Sequence, residues 1–453
     1  MEARGTAGNA GSDSDAGLSL TDPVAAYHAL LEDERLMSAS AEALAAGQRE
    51  RRLMFGERPL CVAIRPQLLT RARYDQAVAA AEGIFGALAA LERAVLKDPG
   101  LRAELGLGPE EERLAMADPG FRHSSPSARL DSFFADEVRF VEYNAESPAG
   151  MAYSDHLAAI FATLPVMKAF RKRYRGRFIP TRRRQLGAML TAFRQWDRGA
   201  TPAIAIVDWE GLPTAPEFEM FKAFFEEAGV KTVICDPRAL ELRAGKLYAQ
   251  GVAINLVYRR VLTSELLARG DETQALRDAY VAGVVCVVNS FRAKLLHKKM
   301  SLALLSDERY ERLYTPSQRA AISRHIPWTR RVRREIAEDV GRRRESLVLK
   351  PNDEYGGKGV VLGWTVDQAE WEAAVEVATT QSYVVQEAVE IPRIPFPIIL
   401  DGLRYIDLAV DLDPYLFGGR AGGFMTRVSA AALLNVTAGA GSVVPTFVVE
   451  GAL

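Results

Sequence analysis

Hydrophobic residues change their spacing along this chain, and the changes mark out its elements. From Pro23 to about Gly47, Ala and Leu recur at helical spacing. The short apolar run Leu60–Ile64 reads as a strand, and a second helical stretch runs from Tyr74 to about Leu96. Between Ala128 and Asn144 two apolar stretches flank Ala135-Asp136-Glu137, the pattern of a strand hairpin. Pro148-Ala149-Gly150 ends it, and helical sequence follows from Tyr153 to about Tyr174.

A different rhythm begins near Thr201. Ala203–Val207 is almost wholly apolar, Pro216–Ala228 is amphipathic, and Val230–Cys235 is apolar again, an order β-α-β that implies a parallel sheet covered by helices. Strands are predicted at Ile254–Tyr258 and Gly283–Asn289, after a turn at Gln250-Gly251, and a helix at Phe291–Leu305. The last third carries strands at Leu347–Lys350, Val360–Gly363 and Tyr383–Glu387 around a helix at Val366–Thr379. Alternating runs at Arg404–Leu412, Gly422–Val428 and Val443–Val449 then predict an antiparallel sheet. Loops between Gly150 and Thr201, and between Pro392 and Asp401, are placed to shape a substrate pocket. No 20 to 50 residue repeat occurs.

Length and charge narrow the classes. At 453 residues the chain exceeds one compact core, so several subdomains are expected. With 57 Lys and Arg against 58 Asp and Glu, the net charge of -1 argues against a protein-wide field for nucleic acid or anionic lipid. The arginine runs at 171–177, 182–184, 330–334 and 342–344 therefore read as solvated or interdomain faces. Three scattered cysteines, Cys61, Cys235 and Cys286, offer neither a disulfide framework nor a zinc pattern, and five histidines show no metal spacing. No apolar run is long enough to span a bilayer, and the first 20 residues have the composition of a disordered tail without a signal-peptide core. A cytoplasmic location is expected.

Two clusters carry the chemistry. On the predicted hairpin, the two-residue period places Arg129 with Asp131 and Glu142 with Asn144, so four polar groups meet if the strands pair. Two carboxylates and an amide suit Mg²⁺, a hard cation that shares its remaining positions with water and substrate phosphates. Arg129 beside them would neutralise charge on a transferring phosphoryl group. Taken singly, each residue is also what an ordinary surface salt bridge would contain. The second cluster is Lys350 with the tip Tyr355-Gly356-Gly357-Lys358-Gly359. Glycines let backbone N–H groups approach phosphates, and Lys350 and Lys358 add positive charge. A plain tight turn and an edge lysine are the bland alternatives. Neither a Walker A motif nor a dinucleotide fingerprint is present. The strand end Gln386-Glu387-Ala388-Val389 offers an apolar slot with polar edges, as an adenine ring requires.

Arg-x-Asp, Glu-x-Asn eleven residues on, and far downstream Lys-Pro, Gly-Gly-Lys-Gly and Val-Val-Gln-Glu form a pattern that resembles the circularly permuted ATP-grasp proteins related to glutathionylspermidine synthase. Tyr258-Arg259-Arg260, Lys299 and Gly422–Arg427 extend the resemblance, which covers roughly Leu60 to the C-terminus. It implies an α/β (α+β) circularly permuted ATP-grasp fold with a Rossmann-like subdomain and a helical N-terminal layer. It implies ATP and Mg²⁺ as cofactors, with Asp131, Glu142 and Asn144 holding the metal. Arg129 and Arg427 would be catalytic. Lys299, Lys350, Tyr355, Gly356, Gly357, Lys358, Gly359, Gln386, Glu387 and Val389 would bind nucleotide, with Lys298 left open as an alternative to Lys299. The tip differs from the Gly-Arg-Glu-Gly form of glutathionylspermidine synthase, and no amidase half is evident.

The expected organisation is a tail at 1–20, a helical region at 21–120, the metal-binding hairpin with helices at 121–200, the Rossmann-like unit at 201–290 and the nucleotide-binding region at 291–453. The expected activity is an ADP-forming ligase that joins a small-molecule or peptide carboxylate to an amine through an acyl phosphate. A phosphotransferase on the same scaffold and a non-catalytic nucleotide-binding module are the alternatives. The substrates and the oligomeric state stay open, a homodimer among the options.

Overall fold

The computed structural model describes residues 21–55, 58–400, 402–431 and 441–452; the expected tail lies outside them. It is a mixed α/β structure in which four four-stranded sheets dominate. One of them is wholly parallel, ordered Cys286–Val288, Leu256–Arg259, Ala203–Val207, Lys231–Cys235, with helix Ala215–Glu227 as the crossover. Ile204, Ile206, Leu256 and Val288 are fully buried on one face and Ala205, Val207, Val257 and Val287 on the other, as expected of strands covered on both faces.

The hairpin predicted at 128–144 is the pair Ser127–Phe134 and Val138–Asn144, extended by Asp413–Phe417 and Arg420–Met425 into an antiparallel sheet. Its apolar face packs on the long helix Arg71–Lys97, which begins where Thr70 Oγ1 accepts from Arg73 N and buries Ala77, Ala81, Ile84, Leu88, Leu91 and Val95 at helical spacing. Leu130 and Phe140 lie in that core with no exposure. The polar face is thereby turned the other way, with Arg129 and Asp131.

A third sheet is antiparallel, ordered Thr329–Arg331, Tyr383–Glu387, Leu347–Pro351, Val361–Leu362, with helix Gln368–Thr380 behind it. Trp371 is fully buried there, its indole N–H on Val340 O at 3.0 Å. The fourth sheet holds Arg393–Leu400, Gly402–Val410, Arg427–Ser429 and Gly441–Val443.

Several expectations are corrected. The first helix is two, Thr21–Leu31 and Glu34–Glu50, because Asp33 caps a new N-terminus by accepting from Arg35 N and Leu36 N. Leu60–Ile64 forms a single bridge, Ala63 to Ile398, and is no strand. The helical sequence expected from Tyr153 is helices Met151–Thr163 and Pro165–Phe170, the rest of 151–200 adds strand Tyr174–Phe178 and helix Arg182–Trp196, and 393–400 is a strand in which Pro395 and Pro397 sit opposite Asp407 and Tyr405. The three terminal runs share one antiparallel sheet only in part, at 404–410, 427–428 and 443. Residues 402–410, 420–425 and 446–452 belong to three different sheets. Phe291–Leu305 is not one helix either, since the segments Lys294–His297 and Met300–Leu305 are separated at Lys298-Lys299.

Candidate active site

Register brings the first cluster together. Arg129 pairs with Asn144 and Asp131 with Glu142, followed by a bulge between Asp131 and Ser132. Arg129 grips Asp131 bidentately, Nε to Oδ1 at 2.7 Å and Nη2 to Oδ2 at 2.9 Å, and Asn144 Nδ2 donates to Asp131 Oδ1 at 2.8 Å. Burial opposes ionisation of Asp131, but Arg129 and Arg427 outweigh it and hold its carboxyl below the usual carboxylate range.

Asp411 and Asp413, which the sequence reading did not select, complete this cluster. Arg427 bonds three carboxylates at once: Asp411 Oδ2 at 2.5 Å through Nε, and Asp413 Oδ2 at 2.8 Å and Asp131 Oδ2 at 2.9 Å through Nη2. Asp413 Oδ1 also accepts from Ser132 N at 2.8 Å, which pins the bulge. Burial, with like charge from the neighbouring aspartates, pushes Asp411 up to about 6 and Asp413 well above its usual value. Burial also works against the charge on Arg427, yet the aspartates raise its pKa too. One guanidinium shared among three acids explains both directions. The arginine is held charged, while the acids are left with negative charge in excess of what Arg427 can offset.

The second cluster stands against the first. Lys299 occupies the break between the two short helices, anchored by its N–H on Asn352 O, and its Nζ reaches Glu142 Oε1 at 3.0 Å and Glu354 O at 2.7 Å. Lys298 points elsewhere, to Glu111 at 2.9 Å and Asp353 at 3.2 Å, so Lys299 is the one that faces Glu142. Lys350 Nζ donates to Gln386 Oε1 at 2.6 Å and Val141 O at 3.1 Å. Burial pushes its pKa down to about 8. Glu142 is partly buried, and desolvation opposes its charge, but Lys299 and Lys350 keep its carboxyl below the usual range.

A single cavity is lined by Arg129, Asp131, Glu142, Asn144, Lys299, Lys350, Tyr355, Gly356, Gly357, Gln386, Glu387, Val389 and Arg427, together with Asp411, Asp413 and the apolar Val348, Leu362, Trp364 and Ile391. Lys358 and Gly359 fall outside it. Lys358 is exposed and pairs with Glu354 at 3.3 Å, and both residues line a neighbouring shallow depression. Gly356 and Gly357 have φ of 66° and 76°, the left-handed region that favours glycine, so this tip cannot take most other residues without strain. Tyr355 Oη donates to Glu265 Oε1 at 3.1 Å and fastens the tip to the parallel-sheet unit. The Glu387 N–H donates to Trp328 O and the Ala388 N–H to Ser346 O, both at 2.8 Å.

Beside the cavity lies a second buried ionic group that sequence reasoning missed. Glu146 carries Arg259 at 3.0 Å and Lys294 at 3.2 Å, and Lys294 also meets Asp353 at 2.5 Å. Asn289 ties the same region down, its Nδ2 donating to Ser127 O, Ala145 O and Glu146 O at 2.7 to 2.9 Å. Charged residues inside apolar runs, such as Asp411-Leu412-Asp413, were the available signal. Among the described residues no three His, Cys, Asp or Glu side chains group as a metal cage.

Neither a family model nor a curated protein sequence matches this chain. Solved structures do. A glutathione synthetase-like effector, GSS30 from Globodera pallida, solved in its apo form, is 12% identical over 92% of this chain and 97% of its own, with a TM-score of 0.60. At that identity the likeness is one of fold, so the chain adopts a glutathione synthetase-like fold.

Proposed function

We propose that this protein is an ATP- and Mg²⁺-dependent carboxylate–amine ligase on a circularly permuted ATP-grasp scaffold. The observation that carries the reading is the convergence, in one cavity, of a buried carboxylate–arginine cluster with two lysines and a glycine tip drawn from distant parts of the chain. Its walls match the demands of a nucleoside triphosphate in combining apolar side chains with cations and carboxylates.

Asp131, Glu142 and Asn144 would hold the metal. The excess of buried carboxylate around Arg427 is the property a divalent cation relieves, and Mg²⁺ on a nucleotide needs only one or two carboxylates because phosphates and water supply the rest. Bound Mg²⁺ would draw charge from the phosphate oxygens. The chain's own part is positioning. Lys299 and Lys350 offset phosphate charge, Gly356 and Gly357 bring backbone over it, and Val389 reads the base edge, since Glu387 and Ala388 have their N–H groups engaged. Arg129 and Arg427 stand where charge develops on the transferring group.

In the reaction, a substrate carboxylate oxygen attacks the γ-phosphorus as its bond to the β–γ bridging oxygen breaks, which releases ADP. An amine nitrogen then attacks the acyl carbon, the carbon–oxygen bond to phosphate breaks, and the amine proton passes to solvent. Hydroxylamine as a universal amine tests this. With pooled carboxylic acids and Mg-ATP, hydroxamate should accumulate, whereas a phosphorylated hydroxyl compound without hydroxamate would make the protein a phosphotransferase. A binding module is favoured by one observation, that both Asp131 oxygens are already held by arginines; nucleotide bound without turnover in that assay would select it.

A further inference from the structure

A second cavity, of about 550 Å³, lies between helix Thr21–Leu31, the segment 65–73 and the strand that begins at Arg393, and it shares no lining residue with the one described above. The two are separated by one extended segment. Val410 and Leu412 face the second cavity, while the alternating Asp411 and Asp413 face the first.

Its chemistry is lopsided. Among the described residues Arg65 and Arg73 line it, and no Asp or Glu does. Arg65 has no exposure, yet its guanidinium meets only neutral partners: Pro66 O at 3.1 Å, Pro395 O at 3.4 Å and the Phe396 ring at 4.1 Å. Arg73 likewise donates to Phe134 O and Ala135 O. Neither forms an ion pair with a carboxylate among the described residues. Arg65 Nε, Gln67 Oε1 and His28 Nε2 are buried there without a hydrogen-bond partner. A buried cation with no counter-ion is costly, and burial alone pushes Arg65 down to about 10. His28 is neutral at pH 7, its pKa lowered to about 4 by burial and by Arg65, so it adds no charge to the cavity.

We propose that this cavity is a binding site for a small amphipathic anion, a carboxylate on an apolar body, whose head group pairs with Arg65 and whose tail lies along Leu68, Ile394 and Leu412. The size suits a small molecule. Apolar walls exclude a bare hydrophilic anion, and the two arginines without a counter-ion exclude a neutral lipid-like molecule. This site stands whether or not the first cavity turns over ATP.

Calorimetric titration of the full chain with octanoate, 1-octanol and inorganic phosphate tests it, beside Arg65→Met and Ala25→Phe. Ala25 is an exposed position on the cavity wall where added bulk blocks entry without disturbing a core. Octanoate should bind at least about tenfold more tightly than octanol or phosphate, because the charged head and the apolar tail each contribute. Both variants should weaken octanoate about tenfold or more. Ligand-free Arg65→Met should melt roughly 2–4 °C higher, since it removes an uncompensated buried charge. Equal affinity for octanoate and octanol, phosphate as the tightest ligand, or no octanoate binding overturns the proposal. A ligand-free Arg65→Met protein that melts lower assigns Arg65 to scaffolding and overturns it too. Should Arg65→Met fail to fold, Ala25→Phe decides, and undiminished octanoate affinity there refutes the site.

Discussion

Lys350 makes the proposed nucleotide site sensitive to pH in a direction that can be worked out. Its ammonium is buried, two of its three N–H bonds go to the neutral acceptors Gln386 Oε1 and Val141 O, and desolvation lowers its pKa to about 8. The third N–H is the one a phosphate can take. At pH 7 about nine-tenths of the free protein carries the charge, and at pH 9 about a tenth does. If ATP requires charged Lys350, its Kd rises about tenfold between those values, or about 1.4 kcal/mol, and each further unit adds as much. Binding then takes up a proton. Stability runs the other way, because the folded pKa lies below the unfolded value of 10.5: the unfolded chain holds more protons between pH 8 and 10.5, so that range stabilises the fold as pH rises. Calorimetry with ATP and a chelator, in two buffers of different ionisation heat, removes any contribution from a divalent cation. Lys350→Met should bind weakly at every pH, without proton uptake. A Kd that stays level from pH 7 to 9, or a Lys350→Met protein that binds ATP as tightly as the parent, refutes the assignment.

The glycine tip and the hairpin anchor give two more tests. Tyr355→Phe removes the bond to Glu265, worth about 1 kcal/mol at this half-exposed site, so amide exchange at Gly356 and Gly357 should quicken about fivefold without nucleotide and regain protection with Mg-ATP. Unchanged exchange would mean that the tip is held by something other than this latch. Asn289→Ala strips partners from buried backbone at Ser127, Ala145 and Glu146 and should cost roughly 2–4 kcal/mol in urea unfolding. A loss below about 0.5 kcal/mol would show that Asn289 does not hold the hairpin to the parallel sheet.

What the sequence made legible was local. The hairpin at 127–144 announced itself because its alternation sets polar side chains opposite a core face, and the structure pairs Asp131 with Glu142 in that register. The parallel β-α-β unit was equally plain from its apolar strands. Asp411 and Asp413 were not, because the run 404–412 reads as one strand, whereas the chain leaves one sheet after Val410 and joins another at Asp413. That change of sheet is set by tertiary packing and has no local signature. Lys299 shows the reverse case. Helical periodicity continues through it, but at the break the Lys299 N–H goes to Asn352 O and the Met300 N–H to Asn352 Oδ1, more than fifty residues away, and the Lys299 side chain reaches Glu142. Lys358 looked like a phosphate ligand by composition, but pairing with Glu354 carries it away from the cavity.

The central claim is phosphoryl transfer from ATP in the cavity around Asp131 and Glu142. Formation of ADP and inorganic phosphate from Mg-ATP, with pooled amino acids, small peptides and polyamines and with Glu142→Ala beside the parent protein, tests it most directly. Equimolar ADP and phosphate that require Mg²⁺, a carboxylate and an amine together are expected, with their loss in a Glu142→Ala protein that remains folded. Absence of ATP binding, or undiminished turnover by Glu142→Ala, would contradict it.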